Sequence, residues 1–412
     1  MERDGISVRE YQRRRRKVLA ALKGAAAAVF AGEGAPPLVG RWRPHAHFRY
    51  LTGIEDEPGA VVLFDPTNED PRRRITLFLR PVDPEADRWD GYREQISSAL
   101  REKTGFDSIL RLNKFPAALT EAARRSKRVA CLHPLSAYDC PVSPDLAVFQ
   151  KIADRVPALT IEDRTQLLAG MRARKSPAEL KLIRRAIEAT AAGYRAAMRV
   201  LRPGVSEATV QEAIEAEYHA FGSRFPAFNT IVGAGLNSTI LHYMRNDGIA
   251  REGDVVVIDS GASCGGYSAD VTRTFPVSGR FTTEQRKLYN VVLRAQEAAI
   301  KAARPGATLA QVDMAARRVI ENAGLGDYYI HGVGHHLGLE THDICPDGPL
   351  APDMVITVEP GVYLPEKAIG IRIEDDVLIT KEGNRVLTAS IPRRPNEIER
   401  AMAEARKARS GA

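Results

Sequence analysis

Cysteine is scarce in this chain: four in 412 residues, at Cys131, Cys140, Cys264 and Cys345. No two of them stand in a CxxC or another short ligand spacing. That excludes a disulfide-stapled scaffold and a zinc-finger module, and it reads as free thiols of a reducing compartment. Long apolar runs are missing too, since no stretch approaches the roughly 20 residues a membrane helix needs. The segment RRRRKVLAALKGAAAAVFAG has the look of a leader, but Lys23 and Gly24 interrupt its apolar part. It divides better into an amphipathic helix at 8–23 and a short strand, AAVFAG. A cytoplasmic protein with no membrane association is expected. The net charge is +7, yet the basic residues are dispersed apart from RRRRK at 13–17 and RRR at 72–74. No basic stripe alternates with aromatics, so no nucleic-acid partner is expected.

What is present is length and alternation. A chain of 412 residues exceeds one hydrophobic core, so two domains are expected. The first part alternates candidate strands (AAVFAG, 60–65, 74–80, 128–133) with helical patterns near 8–23, 91–103, 116–125 and 143–154. That is an α/β domain. At Ser176-Pro177 with Glu179, an N-cap, a proline at the first helical position and an acid two positions on open a long amphipathic helix. The boundary falls near 165–175, giving domains 1–170 and 171–412.

The second domain contains an internal repeat. RPGVSEATVQEAIEAEYHAFG at 202–222 matches RPGATLAQVDMAARRVIENAG at 304–324, a constant offset of 102. Strands follow each copy. Asp259 and Glu359 stand at equivalent strand ends, two residues before a glycine, and Asp270 and Glu374 are read on the strands that follow. Two similar halves facing each other would each donate a pair of carboxylates. Strand alternation puts Arg372, Glu374 and Asp376 on one face, Ile371, Ile373 and Asp375 on the other.

Four carboxylates in one cleft repel one another unless cations sit among them, and four negative charges balance two divalent ions. HGVGHHLGLETHD carries His331, His335, His336 and His342 among glycines. One imidazole there can complete a metal shell, shifting preference toward transition metals, and the others can handle protons. Spacing alone leaves two readings open. Single acids at strand ends are commonly turn or cap residues; their co-occurrence with a histidine-rich turn favours a metal site.

VVVIDSGASCGGYSADVTRTFPVSG, HGVGHHLGLETHD, ITVEPGVY and GIRIEDDVLIT resemble the metal-site segments of the pita-bread metallopeptidases, family M24. FPAFNTIVGAGLNSTILHY, FRYLTGIEDEPGAVVLF and FLRPVDPEADRWDGYRE extend the resemblance over nearly the whole chain, toward the Xaa-Pro aminopeptidases (aminopeptidase P). It implies an α+β protein. The C-terminal pita-bread domain would have two similar halves with helices over a curved antiparallel sheet, behind an N-terminal α/β domain. The implied ligands are Asp259, Asp270, His335, Glu359 and Glu374, with Asp270 and Glu374 bridging two divalent ions, Mn first and Co or Zn next. His242, His331 and His342 match substrate-side histidines. Arg372 matches an arginine steadying the bridging glutamate, and Glu359 is the implied proton carrier. The implied reaction is hydrolysis of an N-terminal Xaa-Pro bond by a hydroxide shared between the ions. The implied substrates are peptides with proline second. A homo-oligomer, dimer or tetramer, is expected, with the first domain as assembly surface. Trp89 matches a tryptophan that reaches a neighbouring subunit in some relatives; its other reading is an anchor within its own domain. His47 stands where relatives often carry an acid. His336 sits where the pattern tolerates other residues and is read as packing or surface.

The nearest rival is a prolidase restricted to Xaa-Pro dipeptides. A non-catalytic peptide-binding module on the same fold is the other alternative, disfavoured because all five ligand positions hold coordinating residue types.

Overall fold

The computed structural model describes residues 2–3, 5–33 and 42–410, and the chain divides into two compact units, Met1–Arg172 and Ala173–Ala412.

The first unit opens with helix α1, Val8–Ala21, capped by the Ser7 side chain. Its basic run is partly interior. Arg14 and Arg15 are buried, and they donate to the carbonyls of Tyr50 (2.9 Å) and Leu51 (2.8 Å) at the end of the helix Ala46–Thr52. Cations there satisfy carbonyls that the helix itself leaves unpaired. Four strands form a sheet in sequence order: β1 (Ala27–Phe30), β2 (Val61–Phe64), β3 (Ile75–Leu79) and β4 (Ser108–Arg111). The first two pairings are antiparallel and the last is parallel. A second parallel pair joins β5 (Arg128–Cys131) to β6 (Thr160–Asp163). Strands β4 and β6 were not read in the sequence, because SILR and TIED are short and mix charge with few apolar residues. The helix expected at 91–103 is instead two, Pro84–Asp90 and Ser98–Thr104. Gly91, at φ +98°, stops the first of them.

The second unit shows the duplication as geometry. Helices α2 (Pro177–Val200) and α3 (Glu207–Ala220) open the first half. Strands β7 (Ile231–Ala234), β8 (Val255–Ser260) and β9 (Val271–Pro276) follow, in the antiparallel order β9-β8-β7. The second half repeats this with α4 (Thr283–Ala302) and α5 (Leu309–Asn322). Then come β10 (Val355–Val358), β11 (Gly361–Leu364), β12 (Ile369–Arg372), β13 (Asp375–Ile379) and β14 (Asn384–Val386). β10 pairs with β13, β13 with β14, and β11 with β12, all antiparallel. Both ends of α5 lie 102 residues beyond those of α3 (207 to 309, 220 to 322), the offset of the sequence repeat. Even the backbone bonds repeat, Gly204 N–H to the Ala250 carbonyl and Gly306 N–H to the Leu350 carbonyl. Helix α6, Pro395–Ser410, closes the chain. One apolar core, including Ile214, Val256, Ile258, Val292, Ile356 and Ile371, fills the unit between helices and strands. Among the described residues no helix is long and apolar enough to cross a membrane.

Candidate metal centre

The acids arrive from chain ends of strands in both halves. Asp259 lies in β8, one residue before its end, and Glu359 directly follows β10. Asp270 and Glu374 each stand one residue before a strand, β9 and β13, rather than within one. The reason is a crossing between the halves. The Glu374 N–H donates to the Thr272 carbonyl (3.0 Å), and the Asp270 N–H reaches Asp376 Oδ2 (3.4 Å), so each acid's amide serves the opposite half instead of its own ladder.

These side chains and the histidines line one cleft of about 500 Å³, and none of the nine expected site residues lies outside it. Asp270, His335 and Glu374 place ligand atoms within 4.8 Å of one another. His335 Nε2 is 3.5 Å from Asp270 Oδ2 and 3.4 Å from Glu359 Oε1. Its Nδ1 faces the His336 carbonyl at 3.0 Å; a carbonyl only accepts, so Nδ1 carries the proton and Nε2 offers its lone pair to the cleft. Thr357 accepts from the His335 N–H (3.0 Å) and donates to Glu359 (3.3 Å), and Thr272 donates to Glu374 Oε2 (2.8 Å).

Crowding sets the electrostatics. Burial, then Asp259 and Glu359, push the Asp270 carboxyl well above the usual range. Burial and Asp270 do the same to Glu374. Glu359 is also raised by burial, partly offset by His335 and Arg372. Asp259 gives Oδ2 to Arg372 (2.8 Å), while its buried Oδ1 has no hydrogen-bond partner. Buried carboxylates gathered this closely, with an orphaned oxygen and an imidazole lone pair among them, fit divalent cations.

Arg372 has a partner other than the one expected. Its direct contacts are Asp259, the Tyr363 hydroxyl (3.0 Å), Thr272 Oγ1 (3.1 Å) and the Leu241 carbonyl (3.4 Å), and it acts on Glu374 only through space. Burial disfavours its charge, but Tyr363, Asp259 and Glu359 outweigh that and hold it protonated. Both ring nitrogens of His331 are committed. Nδ1 donates to the Gly332 carbonyl (2.8 Å), and Nε2 accepts from Tyr363 (2.9 Å). Burial lowers its pKa to about 4. His242 and His342 are exposed at the cleft, and His342 stacks on His335 with ring centroids 3.9 Å apart. Phe228, Ile231, Leu241 and Met244 supply an apolar wall. His336 is buried, beside Lys175 and Asp343. That pair forms an interior ion pair of 3.1 Å which the sequence did not announce. In the first unit, His47 is fully buried, with Nδ1 3.0 Å from Arg172. Trp89 is 86% exposed, so it is no anchor in its own domain's core.

Two family models match the chain: metallopeptidase family M24 over residues 181–381, and the aminopeptidase P N-terminal domain over residues 11–130. The Xaa-Pro aminopeptidase of Escherichia coli (strain K12) is 36% identical over 98% of this chain and 99% of its own length. That of Haemophilus influenzae is 34% identical over 88% of each. The structure of E. coli aminopeptidase P with the inhibitor Pro-Leu superposes with a TM-score of 0.86 at 34% identity, covering 98% of this chain and 99% of that one. The chain belongs to the Xaa-Pro aminopeptidase (aminopeptidase P) family of the M24 metallopeptidases.

Proposed function

We propose that this protein is a metallo-aminopeptidase that hydrolyses the N-terminal Xaa-Pro bond of peptides. The observation that supports it most is the convergence of Asp259, Asp270, His335, Glu359 and Glu374 on one cleft, from both halves of the repeat. Asp270 and Glu374, one from each half, would hold both of two divalent ions, with Asp259 adding to one and His335 and Glu359 to the other. Such ions supply Lewis acidity and bring the pKa of water toward neutral. Manganese is the proposed metal, with cobalt or zinc as substitutes, because the donor set is oxygen-rich with a single imidazole.

The chain's own residues do the rest. Glu359 holds a proton at its carboxylate and passes it to the proline nitrogen, a tertiary amide that cannot leave unprotonated. Arg372 fixes Asp259 and withdraws one of its oxygens from other partners. His242 and His342, exposed at the cleft, meet the substrate's oxygens. Tyr363 and the Gly332 carbonyl occupy His331, which makes it an orienting group rather than a donor. The apolar wall of Phe228, Ile231, Leu241 and Met244 excludes water beside the scissile bond. A homo-oligomer is proposed, supported by the exposed Trp89 and Tyr92 of the first unit, and light scattering that reads the mass of one chain would overturn it. The cytoplasm is the proposed compartment, in keeping with four cysteines free of disulfides.

The test is a panel of Xaa-Pro and Xaa-Pro-Yaa peptides, assayed after metal stripping and after reconstitution with Mn. Cleavage of the longer peptides, restored by metal, is expected. Cleavage of dipeptides alone would make the protein a prolidase, and no cleavage with metal bound would make it a peptide-binding module.

A further inference from the structure

Glu207 is the first residue of α3, 1% exposed, and has no part in the metal centre. Its carboxylate gathers three N–H groups from both ends of one segment. Oε1 accepts from the Ala234 amide (2.7 Å) and Asn237 Nδ2 (3.0 Å), and Oε2 accepts from the Gly248 amide (2.6 Å). The segment between, 235–247, carries His242, Leu241 and Met244 to the cleft.

The network continues to the neighbours of His242. Asn237 Nδ2 also donates to the Tyr243 hydroxyl (2.9 Å), which donates to Asp247 (2.6 Å), and Tyr243 is buried. On the other side of His242, Arg372 holds the Leu241 carbonyl, and Ser238 Oγ accepts from the Gly370 amide at 2.8 Å. The approach there is close, for a Cβ on Gly370 would lie 1.9 Å from the Ser238 carbonyl oxygen. So the segment is pinned between α3 and β12, and His242 projects from between two anchored residues.

The duplication supplies an independent observation. The residue 102 positions on is Leu309, while both helix caps keep a hydroxyl, Ser206 and Thr308. A helix of this design therefore does not need a glutamate at that position. The half that presents His242 has one.

We propose that Glu207 is a positioning residue: by closing residues 234–248 at both ends it holds His242 at the mouth of the cleft. This rests on the peptidase reading above. Glu207→Gln is the sharpest probe. An amide in place of the carboxylate turns an N–H toward at least one of three buried N–H donors, and an unsatisfied pair there opens the segment. The expected loss in kcat/KM on an Xaa-Pro-Yaa peptide is about 10- to 100-fold, the scale of a misplaced catalytic group. Manganese affinity by calorimetry is expected to stay unchanged. In a His242→Ala background, Glu207→Gln is expected to cost nothing more, because its effect runs through the imidazole. A full additional loss in that background, or a parallel loss of metal affinity, would overturn the proposal. If Glu207→Gln does not fold, Gly248→Ala tests the same closure, since its Cβ would sit 2.7 Å from Glu207 Oε2. A wild-type protein inactive on every peptide would sink the peptidase reading alone. The His242 imidazole resonance still reports positioning in that case, and an identical resonance in wild type and Glu207→Gln would refute it.

Discussion

Asp270 and Glu374 carry the heaviest electrostatic load of any residues in the chain. Both are buried, and each raises the other's pKa beyond what burial does. Replacing either by alanine is expected to abolish turnover on Xaa-Pro-Yaa peptides while far-UV circular dichroism stays at wild type. Wild-type rates in either variant would rule out a shared-ligand pair. A second residue-scale expectation concerns the first unit, where His45, His47 and His133 pack together, with centroids 4.4 Å apart for His45 and His133. Burial lowers His45 to about 4 and His133 to about 3, and it holds His47 well below its usual value; Arg172 adds to the lowering of His45 and His47. Unfolded imidazoles titrate near about 6.5, so between that pH and about 4 the unfolded chain binds more protons than the folded one. The stability these groups contribute is complete above pH ~6.5 and is lost as pH falls. In His133→Gln the amide oxygen can still accept the Phe30 N–H that Nε2 accepts at 3.1 Å, but one titration is gone. Its Tm should fall less steeply from pH ~6.5 to ~4 than that of wild type, and identical slopes would refute the role.

At the scale of elements, alternation along a strand accounts for both what was legible and what was not. GIRIEDD assigned Arg372 and Glu374 to the cleft correctly, and the same alternation put Asp375 among the isoleucines without naming its partner. That partner is Arg273, of the other half. It meets Asp375 Oδ1 at 2.7 Å with both side chains fully buried, and donates to the Glu374, Thr272, Ile391 and Pro392 carbonyls. No local pattern announces a pair 102 residues apart, since TRT and EDD each look like polar strand edges. Glu207 was hidden for a similar reason: an acid in a first helical turn is ordinary, and its partners lie 27 to 41 residues on. The repeat itself was legible because helix caps and glycine stops are local. Removing one member of a buried pair leaves an uncompensated charge, so Arg273→Met should cost about 3–5 kcal/mol in urea unfolding. Arg273→Met with Asp375→Leu should recover much of that, and a double variant no better than the single would mean the pair is not what holds the halves.

For the whole molecule, cations that bind only the folded cleft add stability by mass action. Manganese at about 100 times its Kd should contribute about 2.7 kcal/mol, read by calorimetry as a Tm that climbs with metal and drops on chelation. A Tm indifferent to manganese would place the carboxylates outside any functional site. The two-unit organisation was legible from length and from the cap at Ser176, because composition changes where a new core begins. The chemistry of the second unit was legible only once its distant segments were taken together.

The duplicated design also bears on origins. One half owns two acids, and on its own it would present them to bulk water with nothing opposite to enclose a cation. A half-length ancestor could have captured metal only by pairing with an identical copy of itself. Fusion of the two genes would then have freed each copy to diverge, letting one acquire the imidazole ligand and the other the loop that greets the peptide.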